Sequence, residues 1–134
     1  MYSYKRRVNF YDCDPAGILF FGRVYELCHS AYESMIESFN LQEPYWTNEN
    51  YITPIIHSEA SYHKPVRPGE MITINVQVSQ LRKSSFELEY ELVNLKGEIC
   101  TKVKIVHIFI HKKNWEKINM PDNLLQAFLS HKKI

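Results

Sequence analysis

Tyr11-Asp12-Cys13-Asp14-Pro15-Ala16-Gly17-Ile18-Leu19-Phe20-Phe21 sets two carboxylates, a thiol, a proline and a glycine directly ahead of a long amphipathic stretch. A carboxylate at a strand-to-helix corner can act as a general base or as a nucleophile. The amides at the start of the following helix can hold a developing oxyanion. The structural alternative for an aspartate here is an Asx turn or a helix cap. Gly17 either makes the turn or lets backbone amides approach a ligand closely. Asp12 reads as a residue that orients the loop through backbone hydrogen bonds. Cys13 lies between two acids, whose charge raises a thiol's pKa and opposes thiolate chemistry.

The elements that must hold this corner follow from periodicity. Tyr4 to Phe10 reads as a short basic strand. From Gly22 to Asn40, Val24, Leu27, Cys28, Ala31, Met35 and Phe39 recur at helical steps, with Glu26, Ser30, Glu33 and Glu37 on another face. A helix of that length spans roughly 28 Å, enough to cross a sheet. Gln42 to Asn50 is a loop, and Ile52 to Ser61 is extended with Pro54 interrupting it. Pro65, Pro68 and Gly69 mark a turn. Ile72, Ile74, Val76 and Val78 alternate with polar residues, and Phe86, Leu88, Tyr90 and Leu92 alternate with Glu87, Glu89 and Glu91. Asn94 to Gly97 is a hairpin turn, and Ile99 to His111 is expected to be the longest strand. Pro121-Asp122 opens a final helix carrying Leu124, Leu125, Phe128 and Leu129. A strand, a long helix and then a run of antiparallel strands is an α+β layout. One helix leaves sheet edges uncovered, so a homodimer is expected.

The bulk properties are consistent with one domain over residues 1–134. The formal charge of +1 gives no global pull toward nucleic acid or membrane. Three cysteines without CxxC spacing suit a reduced, cytoplasmic protein. Met1 to Phe10 is polar and basic, unlike a signal peptide, and no apolar run approaches the roughly 20 residues of a membrane span. Nine Tyr and seven Phe favour a β-rich body and an aromatic pocket.

Phe10-Tyr11-Asp12-Cys13-Asp14-Pro15-Ala16-Gly17, with Phe20-Phe21 and the long helix in register, resembles the signature of hot-dog fold thioesterases of the 4-hydroxybenzoyl-CoA thioesterase type. Cys28-His29-Ser30-Ala31-Tyr32-Glu33-Ser34, Pro54-Ile55-Ile56-His57 with Ala60, Lys64-Pro65-Val66-Arg67-Pro68-Gly69-Glu70, and His107 with Ile108 resemble 1,4-dihydroxy-2-naphthoyl-CoA hydrolases. The resemblance covers almost the whole chain. It implies a long central helix wrapped by a curved antiparallel β-sheet, with two subunits joining sheets edge to edge. It also implies hydrolysis of that ester to the naphthoate and CoA in phylloquinone or menaquinone synthesis, with no cofactor; no metal is expected, and a dimer of dimers is compatible with the sequence, which does not fix the tetramer.

The same resemblance assigns residues. Asp14 matches the catalytic aspartate, and the Phe21 amide would polarise the thioester oxygen, helped by the helix dipole. His57 and His29 are candidates for the acyl pocket, with a hydrogen-bonded packing residue as the alternative; Phe20, Phe21, Tyr25, Tyr32 and Trp46 are candidates for an aromatic wall, of which only some are expected at the pocket. Arg82, Lys83 and Ser84 match the place where relatives hold the CoA phosphates, and a solvated basic turn is the alternative. Lys64 and Arg67 are weaker candidates of the same kind. His63 reads as surface and His107 as structural.

Other classes fit less well. An aspartyl phosphatase needs further acids and a parallel sheet, and this chain has no alternating strand–helix units. Metal-dependent hydrolysis needs convergent ligands, for which Asp12 and Asp14 alone are insufficient. A broader acyl-CoA or 4-hydroxybenzoyl-CoA thioesterase, and a non-catalytic CoA-ester binding protein, stay open.

Overall fold

The computed structural model describes residues 1–134. β1 (Tyr2–Arg7) leads through a short 3-10 turn at Phe10–Asp12 to α1 (Arg23–Ser38). Then follow β2 (Tyr51–Ile52), β3 (Ile55–Tyr62), β4 (Met71–Leu81), β5 (Ser85–Val93), β6 (Ile99–Ile108), β7 (Ile110–His111) and α2 (Asp122–Leu129). Five strands form one antiparallel sheet in the order β1-β4-β5-β6-β3. β2 and β7 form a separate two-stranded ribbon.

Alternation sorts the sheet into two faces, because side chains on a strand point to opposite sides in turn. Ile72, Ile74, Val76 and Val78, with Phe86, Leu88, Tyr90 and Leu92, are buried. On β6 the buried set is Thr101, Val103, Ile105 and His107. α1 lies on this face and buries Val24, Leu27, Cys28, Ala31, Tyr32, Met35 and Ile36. The other face carries Glu87, Glu89 and Glu91 opposite Val106, Lys104 and Lys102. There Lys133 Nζ donates to Glu89 Oε2 at 2.7 Å, an exposed pair that adds little stability.

Three sequence expectations change at their edges. β1 ends at Arg7 because the chain turns at Phe10–Asp12 to start the loop. α1 stops at Ser38 because Asn40 adopts a left-handed φ of 52°, which a short polar residue tolerates. β6 is not the longest strand: it has 10 residues against 11 in β4, and it is separated from β7 by Phe109. The final helix starts where Pro121-Asp122 predicts and buries Leu124 and Phe128.

β3 is an open edge with apolar side chains left in solvent. Ile55, Ile56 and Tyr62 are 49 %, 57 % and 51 % exposed. Ser58 and Ala60 pair with the buried-face residues Ile105 and Val103, so they share the helix side of the sheet. An uncovered edge with unpaired backbone groups is a template for another strand.

Phe86 anchors the core between the helices. Its ring stacks on His107 at 4.8 Å and on Phe128 at 4.5 Å, and it is 1 % exposed. Phe86→Ala is expected to lower unfolding stability by about 3–5 kcal/mol, measured by urea titration with an unchanged m-value.

Candidate active site

The loop from β1 to α1 is shaped by its own hydrogen bonds. Cys13 and Leu19 bridge as an antiparallel pair. Within that bridge Asp14 N–H donates to Ile18 O at 3.0 Å, and Gly17 N–H donates to Asp14 O at 2.9 Å. Gly17 sits at φ +78°, where a side chain would be strained, and nothing lies within 4 Å of the place a Cβ would take. The Asp14 carboxylate accepts the Ala16 N–H on Oδ1 at 2.9 Å. Asp14 thus makes the Asx turn that a structural aspartate would make, and still keeps Oδ2 without a partner in the chain.

A second carboxylate clamps the loop from behind. Asp12 is buried, and Arg6 reaches it with two hydrogen bonds of 2.8 and 3.2 Å. Asn9 N–H donates to Asp12 Oδ2 at 2.8 Å, and Phe20 N–H donates to Asp12 O at 3.0 Å. Asp12 therefore ties β1, the turn and the approach to α1 together. Burial pushes its carboxyl up, but the Arg6 guanidinium and the Asn9 amide outweigh this and hold it below the usual carboxylate range. A carboxyl held low in the folded state stabilises the fold above its unfolded pKa, and that contribution disappears as pH falls through the lower folded value. Asp12→Asn is expected to cost about 1.5–3 kcal/mol at neutral pH and to flatten the acid limb of a stability–pH curve, read by urea midpoints. For Cys13, burial together with the charges of Asp12 and Asp14 pushes the thiol up, which leaves it a poor nucleophile.

Asp14 lines a cleft of about 420 Å³ with Ile18, Leu19, Phe21, Tyr62 and His63. Phe21 precedes α1, and its carbonyl accepts Val24 N–H at 3.3 Å and Tyr62 Oη at 3.4 Å. The Phe21 and Gly22 amides donate to no group in the chain. Free amides ahead of a 16-residue helix are oriented donors for negative charge. A carboxylate oxygen and an unspent N–H on the walls of one cleft can serve the attack on a carbonyl and the resulting oxyanion.

The other sequence candidates fall elsewhere. Tyr25 is half-buried on α1, on the Tyr62 side. His29 is partly exposed further along α1, where Glu33 Oε2 accepts from its Nδ1 at 2.6 Å. Its ring lies 5.7 Å from that of Trp46 and 5.4 Å from that of Tyr32. Tyr32 is 1 % exposed, and its hydroxyl pairs with that of Tyr45.

His57 is not brought to the Asp14 cleft. It pairs across the sheet with Val106 and lies 3.4 Å from Glu59, on the face away from α1. Arg82, Lys83 and Ser84 form the β4–β5 turn, at the end of the sheet where Ser85 pairs with Ile108. The cleft lies at the other end, where Tyr62 pairs with Thr101, so about 20 Å of strand separates the two within one chain. Arg82 and Lys83 have no ion-pair partner.

The cleft also uses residues that sequence reasoning set aside. His63 is exposed, as expected of a surface residue, yet it lines the cleft with Tyr62, Lys64 and Thr101. The His63 and Lys64 amides both donate to Cys100 O, which fixes them beside the loop. The signal available was the position of Tyr62-His63-Lys64 at the end of a strand, opposite Thr101.

A helix laid on one face of a five-stranded antiparallel sheet, with an acidic loop at its start, is the hot-dog arrangement. The family model of the thioesterase-like superfamily matches residues 8–128, and the chain belongs to that family. It is a thioesterase. A 1,4-dihydroxy-2-naphthoyl-CoA hydrolase from Nostoc punctiforme is 31 % identical, over 93 % of this chain and 84 % of the relative. Another of the same name, from Gloeothece citriformis, is 30 % identical over 94 % of this chain and 90 % of its own. The crystal structure of a 1,4-dihydroxy-2-naphthoyl-CoA thioesterase from Synechocystis superposes with a TM-score of 0.89 at 23 % identity, covering 96 % of this chain and 95 % of that one. No helix of this chain is long and apolar enough to cross a membrane.

Proposed function

We propose that this protein hydrolyses 1,4-dihydroxy-2-naphthoyl-CoA to 1,4-dihydroxy-2-naphthoate and CoA, as a cytoplasmic, single-domain enzyme of phylloquinone or menaquinone synthesis. The reading is carried by the Asp14 carboxylate and the free Phe21 amide on one cleft, in a chain that relatives of that name match over more than nine-tenths of its length. Asp14 Oδ2 attacks the thioester carbon or takes the proton of the water that does. The carbonyl oxygen gains negative charge against the Phe21 amide, the C–S bond breaks, and CoA leaves as the thiolate and is protonated; on the nucleophilic route water then cleaves the mixed anhydride, releasing the naphthoate and restoring Asp14. Gly17 keeps the loop in the one shape that presents Asp14.

The acyl group and the CoA phosphates are placed by a second copy. A two-fold axis at the middle of β3 continues the sheet and sets Tyr62 of one copy beside Ile55 of the other. The Asp14 cleft of each copy then faces the Thr53–Ile55 end of its neighbour, the end that carries His29, Trp46, Arg82 and Lys83. A homodimer joined this way covers the exposed apolar edge of β3. Two such dimers join in turn as a dimer of dimers without altering this pairing.

Thiol release from 1,4-dihydroxy-2-naphthoyl-CoA, 4-hydroxybenzoyl-CoA and linear acyl-CoA esters tests the proposal. The naphthoyl ester is expected to have the highest kcat/KM. Preference for benzoyl or linear esters removes the quinone-pathway assignment and leaves a broader thioesterase.

A further inference from the structure

His107 is the least explained polar group in the core. It is 2 % exposed, and its Nδ1 lies 2.9 Å from Thr53 O. A carbonyl only accepts, so Nδ1 carries the proton and Nε2 is a bare acceptor. Nε2 is buried and has no partner. Buried acceptors are nearly always satisfied, and an orphan calls for a donor from outside the chain. Burial also pushes the imidazole down to about 4, so Nε2 stays an acceptor across the neutral range.

Its surroundings are aromatic. Phe86 stacks on one side of His107 at 4.8 Å, and Tyr32 packs at 5.0 Å. His29 and Trp46 are the next rings outward, both on Tyr32 and both partly open to solvent. His29 Nδ1 donates to the Glu33 carboxylate, and its Nε2 has no hydrogen-bond partner in the chain. A buried acceptor imidazole and a second imidazole flanking one tyrosine ring, beside a partly exposed indole, match a flat ligand with hydroxyl donors. They offer nothing to a linear acyl chain.

We infer that His107 is a specificity-determining residue of the acyl pocket, its Nε2 accepting a hydrogen bond from a hydroxyl of a hydroxyaryl acyl group held between His29 and Trp46. This rests on the hydroxyaryl-CoA reading above and on the second copy supplying these rings opposite Asp14. Binding shifts the covering side chains of His29 and Trp46 and leaves the backbone in place. A ligand lacking the hydroxyl leaves Nε2 unpaired and loses the contact.

The test compares 1,4-dihydroxy-2-naphthoyl-CoA with 2-naphthoyl-CoA, using wild type and His107→Phe, which keeps the ring against Phe86. Wild type is expected to favour the hydroxylated ester by about tenfold to a hundredfold in kcat/KM. His107→Phe is expected to bring the two esters close to parity, whereas a purely structural loss lowers both alike. Equal use of the two esters by wild type, or an unchanged ratio in the variant, overturns the inference. If the variant does not fold, nitrogen NMR of wild type decides: the His107 Nε2 resonance is expected to move upfield when 1,4-dihydroxy-2-naphthoate binds, and an unmoved signal overturns it. No hydrolysis of either ester is a different result, which removes the thioesterase chemistry and this inference with it.

Discussion

Asp14→Asn is expected to lower kcat for CoA-thioester hydrolysis by about 10²–10⁴-fold while leaving the fold intact. The amide oxygen of asparagine can still accept the Ala16 N–H, so the turn that holds the loop keeps its bond. What disappears is the charge on Oδ2, the oxygen with no partner in the chain. Stopped-flow thiol release on a variant with wild-type circular dichroism measures the effect. Activity within about tenfold of wild type would assign Asp14 to the turn alone. In single-turnover hydrolysis in ¹⁸O-water, label in the Asp14 carboxylate marks an anhydride cleaved by water at the aspartyl carbonyl, whereas general-base attack puts the label in the naphthoate alone.

Ser58→Arg is expected to abolish activity by a different path. Ser58 is exposed at the centre of β3 on the helix side, so the substitution costs the isolated chain little. Across a two-fold at mid-strand the two arginines meet, and like charges forced together in an interface cost several kcal/mol. Dimer affinity then falls by on the order of 10²–10³-fold. Sedimentation should show a folded monomer, and thiol release should fall with the dimer fraction. A folded monomer of full activity would place the whole site within one chain.

Local patterns made much of this fold legible. The β4 and β5 alternation put Ile72 to Val78 and Phe86 to Leu92 on the buried face, and the α1 periodicity named the residues that pack there. The acidic loop was legible because Asp14, Gly17 and Phe21 are close in sequence and lie in a signature that resembles a known family's. The histidines were not. His57 and Ser58 are neighbours on an edge strand, and a register shift between Ile55 and His57 decides which faces the helix. Such a shift is set by pairing with β6, which no local pattern carries. Helical spacing does not distinguish the buried Tyr32 from the half-buried Tyr25, because both follow the same periodicity. Arg82 and Lys83 are adjacent to β5 in sequence and about 20 Å of strand from the Asp14 cleft within one chain, a separation that no local pattern carries.

The most direct measurement is subunit complementation. Asp14→Asn subunits are dissociated and reassociated with subunits carrying Trp46→Ala and Arg82→Ala. Each heterodimer then holds one site with both defects and one with neither. Random reassociation of equal amounts should restore about a quarter of wild-type activity, since half the dimers are mixed and each has one intact site of two. No gain over the average of the two parents would contradict a site shared between copies.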